Sequence, residues 1–266
     1  MEFTWQAEGT DGSGVGRGAV LLSAFPSAGL ASIVAGHYIV RSLHLERVAR
    51  FESGDVAPIA VIQGGVVNPT IRVYGRSDLA LVLSEFPPAA GPANAIARTI
   101  LDQAEKAGAR SILCLEGVVP HPEEEDGAAT ADTAPGDEQV WVAYSRKDPD
   151  FVAPFEAAKA RTLEDGVIGG VSGALLVQAM GRKVPVAVLL VSARVAEGLP
   201  DHRAGAALIE TLDRVLPQLK IDTKPLRAQA EQIEKALRAV MRSNPRSADG
   251  SPGPSPDRPT SPEMYG

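Results

Sequence analysis

Apolar residues fall along this chain in two patterns, short continuous runs and stripes at helical spacing, and the two alternate. Gly18 to Phe25 predicts a buried strand, and Ala28 to Leu43 a helix entered through the turn Phe25-Pro26-Ser27-Ala28-Gly29. Strand-like runs follow at Arg47 to Phe51, Ile59 to Ile62, Thr70 to Tyr74 and Leu79 to Leu83, with Gly64-Gly65 predicting a hairpin turn between the second and third. Helical spacing then covers Ala93 to Ala107, closed by Gly108, before a strand at Ser111 to Leu115 and another at Val140 to Tyr144. Asp150 to Ala160 and Val171 to Met180 predict helices, Pro185 to Ser192 a continuous apolar strand, and Arg203 to Leu216 a helix stopped by Pro217.

This alternation implies an α/β fold: a single three-layer domain whose mostly parallel sheet is covered on both faces, spanning residues 1–242. Pro225 to Arg242 completes it as a helix with one apolar stripe, Leu226, Ala230, Ile233, Leu237 and Val240, which serves either core packing or a subunit contact. Residues 243–266 are rich in Pro and Ser and lack large apolar residues until their end, the composition of a disordered tail. Its roughly 20-residue linker reaches about 25 Å as a flexible coil and about 60 Å if extended.

Charge narrows the partners. The formal net charge is −7, and the seven acids Glu123, Glu124, Glu125, Asp126, Asp132, Asp137 and Glu138 equal that whole excess within residues 118–139, a segment that holds no Lys or Arg. A neutral body carrying an acidic loop lacks the clustered cations that nucleic acid or an anionic membrane would need. The loop itself is a solvated insertion or a partner contact. One cysteine, Cys114, excludes an internal disulfide, and no run reaches the roughly 20 apolar residues of a membrane span. A cytoplasmic location is the expectation.

Candidate chemistry is sparse. Gly12, Gly14, Gly16 and Gly18 precede a strand, whereas a dinucleotide fingerprint must follow one. Gly166 to Gly173 stands before a helix and could present backbone N–H groups to an anion, or its glycines could let that helix approach the sheet closely. It lacks the Lys-Ser ending of a phosphate loop. His37, His44, His121 and His202 are scattered without metal-ligand spacing, so neither a metal nor another cofactor is expected. Glu85 and Glu116 each follow a strand, where an α/β enzyme places an acid, although neither has a partner base in view. A crevice at the strand ends would draw on Pro26, Gly29, Glu85, Gly169, Gly170 and Ser172.

The last residues stand apart. Met264 and Tyr265 are apolar and aromatic at the tip of a polar linker, followed by Gly266 and a carboxylate. Such a segment suits capture in a socket: an apolar pocket for Met264, stacking for Tyr265 and a cation for the carboxylate.

Several segments in order resemble the proteasome assembly chaperone family of archaeal type. They are Phe25-Pro26-Ser27-Ala28-Gly29-Leu30-Ala31, Ile59-Ala60-Val61-Ile62, Ile71-Arg72-Val73-Tyr74, Leu81 to Pro87, Ser111 to Gly117, Gly166 to Leu176 and Ile221 to Leu226. The resemblance covers about Gly18 to Leu237; Ala24 and Ser27 depart from it by standing where glycines are common, and the acidic stretch is long. It implies a fold similar to nucleoside phosphorylases without their catalytic residues. It further implies an ATP-independent homo-oligomer that assembles or activates proteasomes, with Met264, Tyr265 and Gly266 matching a C-terminal hydrophobic-Tyr-X motif that docks between α subunits. The alternative is a small-molecule enzyme of the same fold that uses the strand-end crevice.

Overall fold

The computed structural model describes residues 3–8, 15–53, 59–88, 90–119, 138–195 and 199–243, with only the backbone described for residue 90 and residues 237–243. Among the described residues eleven strands run in chain order: β1 Thr4–Ala7, β2 Val20–Ala24, β3 Glu46–Glu52, β4 Val61–Gln63, β5 Val66–Asn68, β6 Arg72–Arg76, β7 Leu79–Leu83, β8 Ser111–Val118, β9 Val140–Tyr144, β10 Arg161–Thr162 and β11 Val186–Ser192. Six helices join them: α1 Ala31–Ser42, α2 Ala90–Ala107, α3 Pro149–Ala157, α4 Gly170–Gln178, α5 His202–Val215 and α6 Lys224–Ser243. A single 3-10 turn, Ala28–Leu30, leads into α1.

Nine strands form one sheet in the order β1-β3-β6-β7-β2-β8-β11-β9-β10. Its centre, β7-β2-β8-β11, is parallel, as the alternating pattern predicts, and antiparallel pairs extend it on both sides. The central strands are buried along almost their whole length because both sheet faces are covered. On β2, Val20, Leu22 and Ala24 face the layer of α1, α3 and α5, while Leu21 faces that of α2 and α4. Strand β8 alternates likewise, with Leu113 and Leu115 on the first side and Ile112 and Cys114 on the second.

The helices follow their stripes. Ala31, Ala35 and Ile39 of α1 and Ala93, Ile96, Ala97, Ile100, Leu101 and Ala104 of α2 recur at three- and four-residue spacing and are buried. Helix α2 stops at Gly108, whose φ of 68° is a left-handed cap, and Ala109 N–H donates back to Ala104 O at 2.8 Å. Helix α5 opens on Asp201, whose carboxylate accepts from the Arg203 and Ala204 backbone N–H groups, both at 3.1 Å.

Several elements differ from the sequence reading, the short β10 at Arg161–Thr162 among them. Gly64 and Gly65, at φ 57° and 79°, do turn a hairpin, but it joins β4 to β5 in a separate two-stranded ribbon, and Thr70 to Tyr74 instead feeds β6 of the main sheet. Val66–Asn68 is only three residues long, too short to stand out as a strand. The sequence reading has no strand at β1; it is an edge strand, held by Trp5 packed against Phe51 directly opposite, the rings tilted by 60° with centroids 5.3 Å apart. β8 runs on to Val118, past the predicted end at Leu115.

By internal contacts the chain divides into residues 1–230 and 231–266, so α6 belongs to the first unit as far as Ala230. Within that unit Leu226 and Ala230 are buried. Met264, Tyr265, Gly266, His121 and six of the seven loop acids lie outside the described residues. The seventh, Glu138, is not solvated: Arg227 donates to both its oxygens at 2.9 Å and grips Glu210 with its other nitrogens at 2.9 and 3.0 Å. Burial would raise the Glu210 carboxyl, but Arg227 and the Thr223 hydroxyl outweigh it and hold the group ionised below its usual range.

Candidate functional site

The carboxyl ends of β2, β7 and β8 bring the predicted crevice residues near one sheet edge, but strand alternation separates them onto two faces. On the α1 side stands Glu85. Its Oε1 accepts from His37 Nε2 of α1 at 2.9 Å and from an Arg72 guanidinium nitrogen of β6. Arg72 has no exposed surface; its guanidinium also donates to Pro69 O at 3.1 Å and lies 5.9 Å from the Tyr74 ring centroid. Burial alone would raise the Glu85 carboxyl, yet the His37 bond and the Arg72 charge prevail and keep it below the usual carboxylate range. Glu85 is thereby committed to holding a buried cation, which is a structural task.

On the opposite face, under α4, Ser172 donates to Glu116 Oε1 at 2.5 Å. Removal of water from Glu116 outweighs that bond and pushes its carboxyl up to about 7. Cys114, two residues earlier on the same face, is pushed up to about 12 by burial and then by the Glu116 charge, so it is a protonated thiol at neutral pH. Ser172 and Glu116 therefore meet, and Glu85 does not join them.

Pro26 and Gly29 close a turn. Gly117 N–H donates to Ser27 Oγ at 2.8 Å, the Ser27 and Ser32 hydroxyls lie 2.7 Å apart, and Ser32 donates to Phe25 O at 2.5 Å. Ser27, where the family resemblance expects glycine, thus ties the end of β8 to the turn. Gly29 has φ 59°, and a Cβ there would sit 2.7 Å from Arg194 O, so this position is pressed against the exit of β11. Gly169 and Gly170 behave differently: an added Cβ would meet nothing within 4 Å at either. Close approach of α4 to the sheet is not what these two glycines serve; Gly170 instead supplies a φ of 63° at the start of the helix. Gly173, whose Cβ would lie 2.1 Å from Ile168 O, is the position where approach demands glycine.

Described residues also form two clefts, the second of which borders the Glu85 cluster at His37 and Tyr74. One, of about 560 Å³, opens where β8 and β11 begin, between Arg110, Arg146, Asp148, Phe151 and Lys183. The other, of about 600 Å³, follows the outer side of α1 past Leu30, Val34, His37 and Tyr74. Among the described residues no three His, Cys, Asp or Glu side chains converge to hold a metal, and no helix is long and apolar enough to cross a membrane. His202 has its Nδ1 on Pro200 O at 3.0 Å. Arg72 as a buried cation, and Asp201 as the cap that also accepts from Arg194 N–H at 2.8 Å, were not singled out from the sequence. An Asp immediately before an apolar-periodic run was the available signal for the second.

The PAC2 family profile matches residues 21–241, from the start of β2 to the far part of α6. The chain belongs to the PAC2 family. Within this PAC2 protein the matched span contains every element of the Glu85 and Glu116 clusters. A Methanocaldococcus jannaschii relative, uncharacterized protein MJ0106, is 25% identical over 226 residues, covering 83% of this chain and 84% of that one. The fold is similar to that of Pyrococcus furiosus PbaA, described as an archaeal homolog of proteasome-assembly chaperone, at TM-score 0.77 and 23% identity over 93% of this chain and 94% of that one. It is also similar to P. furiosus PbaB, described as an archaeal proteasome activator, at TM-score 0.70 and 20% identity over 90% and 98%.

Proposed function

We propose that this PAC2 protein is a non-catalytic, ATP-independent proteasome assembly chaperone or activator-like protein of the cytoplasm. In this reading it binds the α ring of the proteasome by docking Met264, Tyr265 and Gly266 between adjacent α subunits. The observation that carries it is the fold-wide likeness to PbaA and PbaB, which stands beside the PAC2 family match across nearly the whole body. The commitment of Glu85 to Arg72 and His37 supports it from within, because the acid best placed for chemistry on the α1 face serves the core. A socket for Met264 and Tyr265 needs only an apolar pocket, a ring-sized slot and a cation. Association of several copies would offer several tails at once, and tethered second contacts raise avidity by about 10²–10⁴ where the linker spans the gap.

Binding of the full chain, and of a chain lacking Met264 to Gly266, to the cognate proteasome core particle tests the reading, with peptide hydrolysis followed in parallel. Loss of binding on truncation is expected, and stimulated hydrolysis by the full chain would add gate opening to the role. Undiminished binding by the truncated chain would overturn the tail contact and move it to the folded body.

A further inference from the structure

Helix α1 is apolar on more than the face it buries. Ala31, Ala35 and Ile39 pack into the core, while Ile33, Val34 and Val40, on the opposite side at helical spacing, are only partly covered. Arg41 is its only Asp, Glu, Lys or Arg. Helix α2 shows the ordinary arrangement, with Arg98, Asp102 and Lys106 exposed opposite its buried stripe. A helix that is apolar all round is one that is covered all round. The outer stripe of α1 runs Leu30, Ile33, Val34, His37, Val40 and Arg41, and together with Tyr74 and Leu226 it lines the cleft of about 600 Å³. Leu30 caps the helix without a side-chain bond, at φ 52° and 42% exposed. That left-handed backbone is rare for a large apolar residue, and here it sets the side chain in the lining of the cleft instead of the core.

The lining is also of one sign. Arg41, His37 and His202 are its basic side chains, and it contains no Asp or Glu, in a chain whose net charge is −7. Among the described residues the Arg41 side chain has no ion pair or hydrogen bond. Glu85, which bonds His37, is already balanced by the buried Arg72. An uncharged occupant would leave Arg41 unmatched, and a cationic one would be repelled. We propose that this groove binds an acidic, apolar peptide segment of a partner protein, with its apolar side chains against Leu30, Val34 and Leu226 and its carboxylate on Arg41. The stripe from Leu30 to Arg41 rises about 16 Å, the span of about five residues of extended peptide. An open trough of that length accepts a passing chain, where a small-molecule site would enclose its ligand. One wall is already fixed: α5 packs so closely that a Cβ on Gly205 would lie 2.6 Å from Val34 Cγ1, so Val34 is in place before a peptide arrives. This surface is separate from the contact assigned to Met264, Tyr265 and Gly266 and does not depend on it.

Selection of a random peptide display library on the full chain tests it, with peptides of about ten residues. Sequences that pair Asp or Glu with Leu, Phe or Met are expected to be enriched. A synthetic copy of the dominant sequence, followed by fluorescence anisotropy, should bind Arg41→Glu about 10-fold or more weakly, and should weaken likewise when its own acid is replaced by the amide. Val177→Glu on α4, 67% exposed, controls for added charge and should bind as wild type does. Leu30→Gly suits the φ 52° backbone, so it should unfold at the same urea concentration as wild type or higher while also binding the peptide several-fold more weakly. No enrichment, or enrichment of basic or uncharged sequences, would overturn the proposal. Undiminished binding by Arg41→Glu and Leu30→Gly would place the peptide elsewhere and overturn it too. Enrichment only on a chain ending at Ser243 would make this chain's own tail the occupant, and copies of the chain that Arg41→Glu dissociates in sedimentation would make it a second copy; either result refutes an outside partner.

Discussion

Glu116 is an acid that folding weakens, and this predicts how the protein responds to pH. Loss of water around its carboxylate outweighs the bond from Ser172 and moves it from 4.5 to about 7. The unfolded chain releases this proton near 4.5 and the folded chain near 7, so between those values the folded state holds more protons. Stability therefore falls as pH rises through that window and is level above it. At 1.36 kcal/mol per pH unit, the whole effect is about 3 kcal/mol. Glu116→Gln keeps the shape and an acceptor for Ser172 while removing the titration. Urea unfolding at about pH 5 should give the two chains nearly equal midpoints, whereas at about pH 8 the variant should be more stable by about 3 kcal/mol, a midpoint shift of about 1 M. Histidines are common to both chains and cancel in the difference, and Glu8, Glu85 and Glu210, all held below the usual range, titrate beneath the window. Equal differences at both pH values would refute the reasoning. A variant less stable at the higher pH would show instead that the carboxylate is ionised in place and stabilised as an anion, with the start of α4 as its partner.

Other positions give simpler outcomes. Arg72→Met leaves Glu85 partly buried without its cation and should cost about 3 kcal/mol in urea unfolding, most of it recovered by adding Glu85→Gln. Gly29→Ala forces a side chain into a positive φ with its Cβ 2.7 Å from Arg194 O, and should lower stability by about 2 kcal/mol in the same assay. Asp201→Ala removes the cap of α5 and the acceptor for Arg194 N–H, with an expected loss of about 1–2 kcal/mol and faster amide exchange in the first turn of that helix.

How much of this was legible in the chain depends on the range of the interaction. Buried runs such as Leu79 to Leu83 and Pro185 to Ser192 announce themselves because all their residues but Ser192 are apolar, which is the direct consequence of helices on both faces of the sheet. Arg72 sits inside a run that reads as strand, but nothing local says it is buried. Its partner Glu85 lies 13 residues on, and the two meet only once Arg72 is set opposite Leu83 by the β6–β7 register. The crevice residues were gathered by a rule about strand ends, which is correct along the strand axis and blind to faces. A single residue of difference in parity sends Glu116 under α4, while Glu85 turns toward α1.

The same parity argument separates what the body does from what the tail is proposed to do. The two acids at the strand ends are each consumed locally, Glu85 by a buried arginine and Glu116 by a serine at a helix start. Surface that is built but not consumed lies instead on the uncharged ribbon and the groove beside it. Exposed apolar surface of this kind is the type that contacts between folded surfaces use. Under the proposed function the segment after α6 then needs no binding energy from the body, since its part is to deliver three residues to a socket while the body would set how many such segments arrive together.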